Sequence, residues 1–142
     1  MTRLASARRL LVVALALACA PATPDAIAFG MDLCDFCHMQ IDDRRFAAIL
    51  LTSKGRSVKF DSIECVLAYV RSEGRARDGS AVWVSDASHP GALLRADSAQ
   101  FVDLGPGRAP MGRGWAAIAT IEDVGALGAA DTAAVKRWSE LP

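Results

Sequence analysis

The chain has 142 residues with 16 basic and 16 acidic side chains, and 52% of its residues are hydrophobic. This length allows one domain with one modest core. The sequence has no run of basic residues and only 6% aromatic residues, which argues against nucleic acid as a partner.

The first residues predict export from the cytoplasm. Arg3, Arg8 and Arg9 precede an apolar run over residues 10–18, which is shorter than the roughly 20 residues that a membrane span needs. Residues 1–18 are therefore predicted to be a signal peptide. The sequence ALAC at residues 16–19 resembles a bacterial lipobox, which would make Cys19 the lipidated first residue of the mature protein. The alternative, cleavage after Ala20 at an A-x-A site, would remove Cys19.

From the lipobox we expect a periplasmic lipoprotein that is anchored to the membrane, with residues 19–30 as lipidated N-terminus and tether. Loss of residues 1–18 removes three arginines and no acidic residue, which leaves 13 basic and 16 acidic side chains and a net charge of −3. Apart from Cys19, the cysteines are Cys34, Cys37 and Cys65. An odd number cannot form a closed set of disulfides, so at least one thiol needs another explanation, and metal binding is one.

The first half of the domain predicts a β-hairpin followed by a helix and a strand. Residues 46–51 and 56–60 form the hairpin around the turn sequence TSKG. Asp61 and Glu64 form a D-x-x-E pattern that predicts the start of a helix. Gly74 is its predicted end, and residues 81–85 are a predicted strand. Apolar residues at helical spacing predict the buried face of the helix: Ile63, Val66, Leu67 and Val70.

The second half repeats this order. Residues 101–104 and 115–120 are predicted strands, and Thr120 to Asp123 form another capping-box pattern that opens a helix reaching about Leu127. Residues 135–141 are predicted to close the domain as a strand. The fold class predicted for residues 31–142 is α+β, with two pseudo-duplicated β-β-α-β units in one small domain.

Soft metal ligands are concentrated in the sequence CDFCHMQI at residues 34–41. On an extended segment Cys37 and Met39 would point to the same side, with Cys34 and His38 close enough to join or shield them. Met111 lies in the sequence RAPMGRG, where proline and glycines predict a tight loop that exposes the thioether. Thiolate and thioether ligands favour Cu(I), whereas Zn(II) prefers thiolate, imidazole and carboxylate, so we expect much weaker Zn(II) binding.

Other functions agree less well with the sequence. The pattern C-x-x-C-H also describes a c-type haem attachment site, and a haem-bearing electron-transfer protein is the alternative prediction. That alternative needs a helical wrap, whereas the pattern here is rich in strands. A thioredoxin-like centre would follow a buried strand, and a zinc ribbon would need a second C-x-x-C. Cys65 lies on the apolar side of the predicted helix and is interpreted as a buried small hydrophobe. No convincing set of catalytic residues occurs, so no enzyme is predicted.

Five blocks of sequence resemble, in order and spacing, the NosL family of bacterial copper-binding accessory lipoproteins of nitrous oxide reductase maturation. The blocks are CDFCHMQI, VKFDSIECVLAYV, VWVSD, ADSAQFVDL and RAPMGRGWAAI, and the resemblance covers about residues 31–141. It implies two β-β-α-β units and a Cu(I) metallochaperone with Cys37, Met39 and Met111 as ligands and Cys34 as a candidate fourth. The family often has glycine where this chain has His38, which leaves open whether the imidazole joins the copper or changes the loop.

The resemblance also implies partners. They are a copper-receiving apo-enzyme, nitrous oxide reductase first among them, and a membrane complex with an ABC-type transporter. The chain is expected to act as a monomer or as a dimer bridged by metal.

Overall fold

The computed structural model describes residues 22–73, 79–129 and 134–142. In these residues the chain forms two antiparallel sheets and one α-helix, which is a mixed α+β domain as predicted. The first sheet has the order β2-β1-β3-β4 and the second has the order β6-β5-β7. The strands are β1 Ala48–Leu51, β2 Ser57–Phe60, β3 Ala81–Ser85, β4 Leu93–Arg95, β5 Gln100–Asp103, β6 Trp115–Ile118 and β7 Val135–Lys136.

The predicted hairpin is confirmed. Strands β1 and β2 pair in the register Ala48–Phe60 to Leu51–Ser57, and Gly55 closes the turn by donating its N–H to the carbonyl of Thr52. Every residue of β1 is buried, because this strand is central in its sheet and has the helix on one side. A continuous apolar run is what such a strand requires.

Helix α1 spans Ile63–Glu73 and buries the apolar stripe that the sequence predicts. Its N-terminal cap differs from the prediction by one residue. The Ser62 hydroxyl accepts the Cys65 N–H at 3.2 Å, and so Asp61 is free of the capping role assigned to it. Glu64 makes no capping box either, since its carboxylate bonds to another segment of the chain. The predicted helix end at Gly74 lies outside the described residues.

The second half contains less helix and less strand than predicted. Residues Ile121–Leu127 form a 3-10 helix, with the predicted contact between Thr120 and Asp123 at its start. The predicted last strand stops at Lys136, because Trp138–Glu140 turn into a second 3-10 helix. Strand β4 was not predicted at all.

The two halves share a strand order, with the first strand of each unit in the centre of its sheet, if β4 is set aside. An α-helix connects the last two strands of the first unit, whereas a 3-10 helix and residues outside the described ranges lie between the last two strands of the second. The pseudo-duplication therefore stays a prediction.

One core joins the sheets and the helix. Phe60, Val66, Phe101 and Ala117 belong to the same buried cluster, although they come from both sheets and from α1. Ala87 donates its N–H to the carbonyl of Ala117 at 2.8 Å, which ties the end of the first sheet to the second. This packing places the N-terminus of α1 close to the turn at residues 34–39 and to the loop at residues 105–114.

In the described parts of the chain, no helix is both long enough and apolar enough to span a membrane.

Candidate metal centre

The segment that carries the C-x-x-C motif is a tight turn rather than the extended segment that the sequence suggested. Cys34 donates its N–H to the carbonyl of Met39 at 2.8 Å, and His38 donates to the carbonyl of Cys34 at 2.9 Å. A short bridge between Leu33 and Gln40 closes the base of the turn.

His38 has a positive φ of 64°, in the left-handed region that glycine adopts most easily. This backbone conformation explains why glycine is a suitable residue at this position.

Three contacts hold the turn against the end of strand β2. Asp35 donates its N–H to the carbonyl of Lys59 at 2.9 Å and accepts the Lys59 N–H at the same distance. The Lys59 ammonium also pairs with Asp32 at 2.6 Å. The pKa of Asp32 is lowered by this hydrogen bond from Lys59 and by the N–H of Ala28. The turn is therefore fixed next to the residues that immediately follow β2.

This placement assembles a cluster of three thiols and one carboxylate. Cys34 and Cys37 come from the turn, Asp61 from the junction after β2, and Cys65 from the first turn of α1. One ligand atom of each lies within 4.8 Å of the others. Cys34, Cys65 and Asp61 are buried, and Cys37 is half-buried at the edge of the cluster.

The cluster favours one thiolate over the others. The hydrogen bond from the Cys65 thiol, assisted by backbone N–H groups of the turn and of Asp61, lowers the pKa of Cys34 to about 6 against the effect of burial. The hydrogen bond to Cys34 and burial raise the pKa of Cys65. Burial raises the pKa of Cys37. Cys34 is thus the first thiol of the cluster to ionise, and the thiolate is the form that binds metal.

Asp61 is buried without compensation. Only 2% of the residue is exposed, and in the described structure neither carboxylate oxygen accepts a hydrogen bond from an N–H or hydroxyl group, the Cys65 thiol being the polar group next to it. A buried carboxyl group is costly to ionise unless it is paired or binds a cation.

The two methionines predicted as ligands are exposed, as the sequence suggested for Met111. Met39 is 51% exposed and Met111 39%. Met111 lies in the loop of residues 105–114, which turns back on itself through a hydrogen bond from Gly107 to Gly112. The carboxylate of Glu64 accepts the N–H groups of Gly114 and Trp115, at 3.1 and 3.2 Å. Because Glu64 precedes Cys65, this bond holds the Met111 loop against the helix turn that carries the cluster.

His38 is exposed and is not among the residues whose ligand atoms converge. Conversely, the structure adds two residues that the sequence analysis interpreted otherwise, Cys65 as a hydrophobe and Asp61 as a cap. Two signals pointed to them: the odd number of cysteines, and the spacing of four residues that places both at one end of the helix.

The fold and the cluster define the class, a small α+β domain with a buried, cysteine-rich centre able to hold a soft metal ion. A model of the NosL family matches residues 27–142, and the chain therefore belongs to the NosL family. No curated protein matches the sequence.

Among solved structures, the chain is similar to the crystal structure of the copper chaperone NosL from Shewanella denitrificans, with 19% sequence identity and a TM-score of 0.71. The similarity covers 86% of this chain and 97% of the other. That protein is a copper chaperone by name, which agrees with the prediction that this chain is not an enzyme.

Proposed function

We propose that this protein is a Cu(I)-binding metallochaperone that carries copper to a copper enzyme. The observation that carries the proposal is the convergence of the Cys34 and Cys37 thiols in one cluster, on the same turn that presents Met39. Membership of the NosL family and the likeness to a copper chaperone support it. Thiolates and thioethers are the donors that Cu(I) prefers, and the oxidation state is part of the proposal.

The proposed ligands are Cys37, Met39 and Met111, with Cys34 beside Cys37 in the cluster. Burial of Cys34 shields the thiolate side of the site from water, whereas the two methionines face outward. A recipient could thus replace the exposed thioethers first and take the ion by ligand exchange, without unfolding the turn. His38 is exposed and would act on the backbone of the turn rather than on copper.

The remaining predictions on place and partners belong to the same proposal. Lipidation of Cys19 would anchor the protein to the membrane on the periplasmic side. The recipient would be a copper-receiving apo-enzyme, with nitrous oxide reductase the foremost candidate, and an ABC-type transporter complex would be a membrane partner. The protein would work as a monomer or as a dimer bridged by copper, and the shared strand order supports an origin of its two units by duplication.

The haem alternative gains no support from the site. Attachment of haem needs both cysteine sulfurs of C-x-x-C-H to reach the cofactor. Cys34 is fully buried against Cys65 and Asp61, and only Cys37 is partly open.

The test is competition between the reduced protein and a Cu(I) chelator. We expect weaker Cu(I) binding in Met39→Ile and in Met111→Ile, with little loss of stability, because swaps of similar volume cost less than about 1.5 kcal/mol. Met31→Ile is the matched control, since Met31 is an exposed methionine of the same segment as Met39.

Cys37→Ser should abolish Cu(I) binding. If Met111→Ile binds copper as the wild type does while Cys37→Ser binds none, copper is held by the C-x-x-C-H-M turn alone and the two-segment site is wrong. If the wild type loses all copper to the chelator, the chaperone proposal fails.

A further inference from the structure

The buried cluster contains a carboxylate oxygen, which is not among the ligands that Cu(I) prefers. One oxygen of Asp61 and the three cysteine sulfurs all lie within 4.8 Å of one another. Cu(I) binds sulfur ligands, whereas a carboxylate is a harder donor that suits Zn(II) and similar divalent ions. The proposed copper ligands therefore leave Asp61, and with it Cys65, without a role.

The surroundings of Asp61 offer its carboxyl group no cationic partner among the described residues. Among the described residues neither oxygen accepts a hydrogen bond from an N–H or hydroxyl group, the Cys65 thiol is the polar group next to the carboxylate, and no salt bridge reaches it. The ammonium of Lys59, two residues before Asp61 in the chain, is paired with Asp32 at 2.6 Å. The capping position that could have used the carboxylate is filled by Ser62. An unpaired carboxylate at this depth is stabilised if a cation binds next to it.

We propose that Cys34, Cys37, Cys65 and Asp61 form a tetrahedral site for a divalent cation of the Zn(II) type, with Asp61 as the ligand that admits it. Three thiolates and one carboxylate complete the coordination of such an ion without water. Bond lengths of about 2.3 Å to sulfur and about 2.1 Å to oxygen place tetrahedral ligands roughly 3.5–3.8 Å apart. The observed limit of 4.8 Å is larger by about 1 Å, which rotations of the side chains can close.

This site shares Cys34 and Cys37 with the proposed copper site, so one pocket holds one ion at a time. Cu(I), which prefers thiolates, displaces the divalent ion, and the divalent site describes the copper-free protein. The inference rests on the geometry of the cluster and not on copper being the cargo. The two proposals can therefore fail separately.

The experiment uses Co(II) as a spectroscopic probe for Zn(II) in the reduced, metal-free protein. We expect one Co(II) per chain, with the visible bands of tetrahedral cobalt and a thiolate-to-cobalt charge-transfer band, and we expect Zn(II) to remove both. Asp61→Asn and Cys65→Ser should each weaken Co(II) binding by more than about tenfold, a loss that even outer partners of metal ligands can cause. Asp42→Asn is the control, because it removes an exposed carboxylate near the turn.

Copper binding separates the possible outcomes. Asp61→Asn should lose more affinity for Co(II) than for Cu(I), since oxygen is a ligand of the divalent ion but not of copper in the proposal. A wild-type protein that binds Cu(I) but shows no thiolate-cobalt band would overturn the divalent site and leave the chaperone function standing. A protein that binds Co(II) but no Cu(I) would overturn the chaperone function and leave the divalent site standing. Equal Co(II) affinity in Asp61→Asn and wild type would refute the role of Asp61.

A second measurement does not depend on the variants folding. X-ray absorption of the Zn(II)-loaded wild type should give three sulfur ligands and one oxygen. Two sulfurs, or any nitrogen from imidazole, would contradict the proposed ligand set.

Discussion

Glu64 links helix α1 to the loop that carries Met111, and its replacement should affect both stability and copper binding. One carboxylate oxygen accepts the N–H groups of Gly114 and Trp115 at 3.1 and 3.2 Å. Both donors are buried, and the chain passes closely here, since a Cβ at Gly114 would clash with the carbonyl of Gly105.

The magnitude follows from the two orphaned donors. A buried donor without a partner costs about 1–3 kcal/mol, so Glu64→Ala loses up to about 6 kcal/mol before compensation. The second oxygen of Glu64 is buried without a partner, and its removal relieves part of that cost. We therefore expect Glu64→Ala to lower the free energy of unfolding by about 2–4 kcal/mol. Glu64→Gln keeps an accepting oxygen and should cost about 1 kcal/mol.

The assays are urea unfolding, followed by tryptophan fluorescence, and Cu(I) chelator competition. Glu122→Ala is the control, because Glu122 is an exposed glutamate in the first turn of the 3-10 helix and should leave the unfolding midpoint unchanged. If Glu64 acts on copper by positioning Met111, the single variant Glu64→Ala should bind Cu(I) more weakly than the wild type. The double variant of Glu64→Ala and Met111→Ile should then bind Cu(I) no more weakly than Met111→Ile alone. An unfolding free energy of Glu64→Ala within about 0.5 kcal/mol of the wild type would refute the reasoning.

Three other predictions concern single residues. His38→Gly should raise the free energy of unfolding by up to about 1 kcal/mol, because glycine adopts the φ of +64° without strain. The larger entropy that glycine loses on folding offsets part of this gain. A fall in Cu(I) affinity would show instead that the imidazole binds copper. Asp86 is buried, which raises its pKa, yet hydrogen bonds from Ser88 and His89 hold that pKa below its ordinary value of 3.8. The contribution of Asp86 to stability is therefore present above its ordinary pKa and is lost as the pH falls through the lower pKa of the folded state. Acid unfolding of Asp86→Asn should show a shallower pH dependence below about pH 4 than that of the wild type. An unchanged pH dependence would contradict this. Cys19→Ser should release the protein from the membrane fraction into the periplasm, and a wild-type protein that is already fully soluble there would refute lipidation.

The amino-acid sequence by itself determined the local elements of the fold. The apolar run of β1, the TSKG turn and the stripe on α1 are patterns within a few residues, and the structure has the hairpin and the helix there. The same local patterns misplaced the helix cap by one residue, because Ser62 and Asp61 are both good caps and only the packing of the junction selects between them. The short strand β4 exists through its pairing with β3 and has no strong pattern of its own.

The residues of the metal centre also fall into those that the sequence predicted and those that only the structure added. The sequence alone pointed to Cys34, Cys37, His38 and the two methionines, because their ligand types stand out in short motifs. Only the tertiary structure joined Cys65 and Asp61 to the two cysteines of the turn, since hydrogen bonds to Lys59 fix that turn beside the end of β2. Contacts between segments more than twenty residues apart depend on the packing of the whole core, and no motif within either segment records them.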